Sequence, residues 1–153
     1  MEVALPKLDL DTIPQTNATG YPPEFAGPVQ GRWYRRLAPA SGVADFGFSH
    51  VTLEPGAWSS QRHWHAGEDE FVVMLAGEAV LVDDGGETPM RPGDIAVFPK
   101  GDGNGHVLQN RGDAPCVYIA VGKPAASDCH YPDIDMHLPA GQGFRRKDGS
   151  GFA

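Results

Sequence analysis

Glycine and proline together supply 34 of the 153 residues, and they recur between short apolar runs along the whole chain. Proline removes a backbone donor and glycine costs backbone entropy, so a chain punctuated in this way builds few long helices. The runs between the breaks are β-rich: RWYRRLA, FGFSHVTL, QRHWHA, EFVVML, EAVLV, DIAVF, HVLQN and CVYIAV. Turn residues separate them, in APASG, EPG, DDGG, RPGD, GDGNG and RGDAP. Short strands at this spacing predict an all-β sandwich or barrel. The segment VLVDDGGETP is expected to form a tight hairpin, with Asp-Gly and Gly-Gly supplying the positive φ of a primed turn.

The length suits a single domain. Residues 1–30 carry five prolines and little periodicity, which predicts an extended arm. Its Tyr21 and Phe25 are available to pack as a strap over the barrel or over a partner subunit. Residues 31–122 hold the strand pattern, and 123–153 form a short C-terminal tail expected to pack on the barrel. The net charge of −8 shows no basic footprint for phosphates, so neither nucleic acid nor an anionic membrane surface is an expected partner. There is no basic start followed by a long apolar stretch, and no run approaches about 18 apolar residues, the length a membrane span needs. The expected location is cytoplasmic. Cys116 and Cys129 form no CxxC pair, so a thiolate zinc or redox motif is not supported, and Cys116 reads as a buried thiol in an apolar run.

The chemistry concentrates in GAWSSQRHWHAGEDEFVVMLAG. His63 and His65 stand at i and i+2, so on a strand both imidazoles face one side and Trp64 the other. Glu70 opens the next apolar strand and can face them across the AGED turn. His106 follows the glycine-rich turn GDGNG and opens another strand. Three imidazoles and one carboxylate suit one divalent transition metal ion, such as Fe, Mn, Ni, Cu or Zn, and no cysteine lies near the motif in sequence. Glu68 and Asp69 read as a solvated turn. His50 is a candidate wall and proton-transfer group, Gln61 a candidate for the cavity mouth, and Tyr118 and Met74 read as core. His130 and His137 read as surface.

These segments resemble the two motifs of the cupin superfamily. The first, G-x5-H-x-H-x(3,4)-E-x6-G, is met by Gly56, His63, His65, Glu70 and Gly77. The second, G-x5-P-x-G-x2-H-x3-N, is met by Gly93, Pro99, Gly101, His106 and Asn110. Six residues rather than five precede His63, and four rather than two precede His106; both insertions fall in turns. The resemblance implies a double-stranded β-helix, a jelly-roll-like barrel of two facing antiparallel sheets. It also implies metal ligation by His63, His65, Glu70 and His106, and, for many members, a homodimer. It implies a small-molecule substrate in the barrel, handled by a metal-dependent dioxygenase or a sugar isomerase or epimerase; Glu70 is then a catalytic candidate, and His50, from its place on FGFSHVTL, is a second catalytic candidate or else a core or surface histidine. A non-catalytic module that binds or senses a sugar or organic acid is the alternative.

Overall fold

Alternation along each strand decides what turns inward. In β4 (Glu70–Ala76), Val72 and Met74 are buried while Phe71 and Leu75 are exposed. In β9 (Cys116–Gly122), Cys116 and Tyr118 are buried on the matching face. The computed structural model describes residues 6–153. A five-stranded antiparallel sheet runs in the order β1 (Arg32–Arg36), β2 (Gly47–Leu53), β9, β4, β7 (Ile95–Phe98). Facing it is a three-stranded sheet of β6 (Gly86–Met90), β5 (Ala79–Asp83) and β8 (Val107–Gln109). Val51, Leu53, Val72, Met74 and Tyr118 from the first sheet meet Ala79, Met90 and Leu108 from the second in one core. Fully burying side chains such as Leu53 and Met74 stabilises the barrel by about 1.5–3 kcal/mol each.

A third sheet closes one end: β3 (Trp64–His65), β10 (Cys129–Tyr131) and β11 (Met136–Leu138). Here arm and tail meet. Cys129, Tyr131 and Met136 form a second buried cluster, against which Tyr21 and Phe25 of the arm and Phe144 and Phe152 of the tail pack. The tail is also clamped by charge: Arg62 donates from Nε and Nη2 to the two carboxylate oxygens of Asp133, 2.8 Å each. The arm is held by a bridge between Thr16 and Tyr34 and otherwise makes only short turns of helix, including α1 (Pro23–Ala26). No described helix is long and apolar enough to cross a membrane.

Three local expectations are corrected. The run RWYRRLA does not stay extended to its end: Leu37–Ser41 winds into a helical turn, α2, closed by Gly42 at φ 77°. VLVDDGGETP does form the β5–β6 hairpin, but the positive φ (116°) sits at Gly86, after the two-residue turn Asp84–Gly85. The extra twist is absorbed by glycine at the strand start rather than by a primed turn. QRHWHA gives only the two-residue β3, because Arg62 is drawn into the clamp with Asp133 and His63 pairs separately with His106.

Candidate metal centre

Backbone pairing sets the histidines. His63 and His106 form an isolated antiparallel bridge, N to O at 3.1 and 2.9 Å, which brings their rings to 4.7 Å between centroids. His65 lies on β3, and its ring sits 4.9 Å from that of His63, as the i, i+2 spacing requires. Glu70 opens β4 in register with Phe98 on one side and Gly122 on the other. Phe98 stacks flat on His106, 3.6 Å between centroids, and fixes that ring's plane.

All three Nε2 atoms point at the Glu70 carboxylate. His106 lies 2.8 Å from Oε1, His65 3.7 Å from Oε2, and His63 4.0 Å from Oε1. Donors about 2.1 Å from one ion stand about 3.0 Å apart at right angles and about 4.2 Å apart in line; the donor atoms of His63, Glu70 and His106 lie within 4.8 Å of one another and fit a shared cation, whereas His65 falls in that range with His63 and Cys129. The electrostatics agree. Burial pushes His63 down from 6.5 to about 4, with His106 adding to the effect, so its ring is neutral at pH 7. Its Nδ1–H donates to the Gln61 carbonyl at 2.9 Å, which leaves the Nε2 lone pair free for a metal. At His65 burial works against the charge, but Cys129 and Glu70 outweigh it and raise the pKa to about 10. Burial opposes the Glu70 charge, yet His106 and His65 hold its pKa well below the usual range. The Nδ1 atoms of His65 and His106 are buried without a hydrogen-bond partner. A half-buried ionised carboxylate faced by three imidazole Nε2 atoms is a donor set that suits a divalent cation.

The sequence expectation that no cysteine approaches the motif is corrected. β10 pairs with β3 so that Cys129 stands opposite His65, and its sulfur joins the donor nitrogens of His63 and His65 within 4.8 Å. The two groups, His63–Glu70–His106 and His63–His65–Cys129, share His63.

The cluster opens on a barrel cavity of about 260 Å³. Besides the ligand candidates it is lined by Arg32, Ser59, Ser60, Tyr21, Tyr118 and Tyr131. Tyr118, read from sequence as core, is therefore both core and wall. Arg32, Tyr21 and Tyr131 escaped the sequence reading: the β1–β2 register that sets Arg32 opposite core Leu53 is long-range, and the tyrosines come from arm and tail without periodicity. His50 is not brought to this cluster. It alternates with buried Val51, pairs with Arg35, and lines none of the cavities. Gln61 is buried and its side-chain amide donates to the Phe25 carbonyl at 2.8 Å, so it ties down the arm. Met74 is core. Asn110, the last residue of the second motif, donates to the Leu53 and Ala114 carbonyls at 2.9 Å each and is a structural staple.

A family model described as Cupin domain matches residues 49–122. The crystal structure of a sugar phosphate isomerase from a cupin superfamily, from Silicibacter pomeroyi DSS-3, is 47% identical with a TM-score of 0.90 over 97% of each chain. This chain is a cupin. The oxalate-binding protein of Thermotoga maritima is 34% identical to this cupin over 48% of the chain, and oxalate decarboxylase OxdC of Bacillus subtilis is 33% identical over 57%. Those matches span 59% and 22% of the two relatives' own lengths. The barrel is thus that of a family whose members include proteins named for small molecules, oxalate and sugar phosphates.

Proposed function

We propose that this cupin is a metal-dependent isomerase of a small, oxygen-rich substrate of the sugar phosphate class, with His63, His65, Glu70 and His106 as the ligands. The observation that carries the reading is the convergence of three imidazole Nε2 atoms on one ionised carboxylate at the wall of a hydroxyl-lined cavity. The likeness to the Silicibacter pomeroyi isomerase over 97% of both chains supports it. Fe, Mn, Ni, Cu and Zn all suit such a set, and an ion held there polarises a carbonyl oxygen. Tyr118 and Tyr131 have hydroxyls whose pKa burial pushes up, so they stay protonated and donate to substrate oxygens. Glu70 is the one carboxylate on the cavity wall, and its lowered pKa keeps it ionised at pH 7, as a metal ligand must be. A volume of about 260 Å³ falls just below the roughly 300–1,000 Å³ of drug-sized pockets, which favours a compact substrate.

The test is elemental analysis followed by NMR of three- to six-carbon aldose and ketose phosphates in D₂O with the metal-loaded protein. Deuterium incorporation beside the carbonyl supports the reading; a loaded protein that exchanges none of them refutes it. A second reading, a binder of a small organic acid, is favoured by the 34% likeness to the oxalate-binding protein. Under it, ligand binds and no exchange occurs. A homodimer is also proposed. Phe71, Leu75, Ile95 and Val97 form an outward apolar row on the neighbouring strands β4 and β7, 39–67% exposed, which is the kind of contiguous patch that marks an interface.

A further inference from the structure

The cavity wall carries a cation that has no carboxylate partner among the described residues. Arg32 enters from β1 in register with Leu53, a fully buried core residue, so its side chain is directed inward. Nη1 donates to the Ser59 carbonyl at 2.9 Å, and the guanidinium lies 5.2 Å from the Tyr34 ring. Its Nε is buried and has no hydrogen-bond partner. Arg62, Arg111 and Arg146 each hold a carboxylate at 2.8 Å or less; Arg32 pairs with none among the described residues, and it differs from the other arginines without one in lining the cavity with a buried, unpartnered Nε. Glu70 is the other ionised group on the cavity wall, and the three histidines engage it. Tyr118 lines the same cavity.

A guanidinium inside a wall, with donors unused and no counter-ion, is costly unless a ligand supplies the opposite charge. Its planar fork matches a carboxylate or a phosphate, which it can take through two parallel N–H bonds. We infer that Arg32 is the anchor for the oxyanion group of the substrate, a carboxylate or phosphomonoester, and so fixes which end of the molecule faces the metal cluster. The substrate class then has two ends: an anionic group on Arg32 and an oxygen-bearing carbon directed toward His63, His106 and Glu70. Arg32 acts here as a specificity residue. The second half of the inference rests on the proposed metal centre; the first half does not.

The experiment separates the two. Isothermal titration of inorganic phosphate and of acetate is run on the metal-free full-length protein and on the same protein reloaded with Co²⁺, for wild type, Arg32→Gln and Arg32→Lys. Metal content is measured in every sample. Metal-free wild type is expected to bind at least one of the two anions. Arg32→Gln should weaken that binding about tenfold to a hundredfold, the range for hydrogen bonds to a charged group, and Arg32→Lys should fall between. Cobalt content should be equal in all three. Preference for phosphate over acetate, or the reverse, assigns the oxyanion. Should Arg32→Gln fail to fold, the side-chain Nε–H resonance of Arg32 in ¹⁵N-labelled wild type is followed during the same titrations, and it must shift with the binding isotherm. Anion binding equal in wild type and Arg32→Gln, binding seen only with cobalt, or an unmoved Nε–H signal each overturns the inference. Protein that takes up no cobalt yet binds anion through Arg32 overturns the metal-centre reading alone.

Discussion

Replacing Glu68 with alanine should unfasten the tail from the barrel. Glu68 is 4% exposed, and its carboxylate accepts from the Ala126 and Ser127 backbone N–H groups and from the Ser127 hydroxyl. Each hydrogen bond to a charged group contributes about 1.5–3 kcal/mol, but the three share one carboxylate and are not additive, and the Ser127 hydroxyl can find water afterwards. A loss of about 3 kcal/mol follows, which for a domain of this size is a fall of roughly 6–12 °C in Tm. The effect has a pH signature. Burial opposes the charge, but the bonds from Ala126 and Ser127 prevail and lower the folded pKa below 4.5. A carboxylate with a depressed folded pKa stabilises fully above its unfolded pKa and loses that contribution as pH falls through the folded value. The difference between wild type and Glu68→Ala should therefore be constant above pH 4.5 and shrink below it. Urea unfolding of both proteins from pH 3 to pH 8 measures this. A loss under about 1 kcal/mol, the level of an exposed ion pair, would refute the reasoning and return Glu68 to a solvated turn.

His63→Ala and His65→Ala should each remove most of the bound metal, while His137→Ala, on β11 away from the cluster, should leave it unchanged; plasma mass spectrometry of the three proteins decides. Gly77 sits at φ 68°, and an added Cβ would stand 2.5 Å from the Pro115 carbonyl oxygen and 2.8 Å from Cys116 Cα. Gly77→Ala should thus cost more than about 2 kcal/mol in urea unfolding, and a cost under about 0.5 kcal/mol would contradict that geometry. Val97→Asp, on the exposed apolar row, should turn a dimer into a folded monomer by light scattering; a dimer that persists unchanged places the interface elsewhere.

Period-two patterning and turn residues made the barrel legible because alternation directly reports which face is buried, as Val72 and Met74 against Phe71 and Leu75 illustrate. The histidines and Glu70 were legible because their spacing along strands translates into a common direction. What stayed hidden was long-range. Cys129 stands beside His65 through a strand pairing that spans the whole AGED-to-tail interval, and nothing local in SDCHYPD announces it. Glu68 looked like a loop residue because its three donors come from about 58 residues away. His50 looked inward only because its phase could not be tied to Val51 and Leu53 before the core was known.

The family match covers residues 49–122, and His63, His65, Glu70 and His106 fall inside it, while Cys129 falls outside. Tyr21, Arg32 and Tyr131, which complete the cavity, all fall outside. Part of the cavity wall is therefore written outside the stretch that carries the two motifs. A lineage could change what it accepts by drifting in the arm, β1 and the tail while the reacting centre stayed constant, and two cupins with the same motifs could diverge in diet without a single substitution between Gly56 and Asn110.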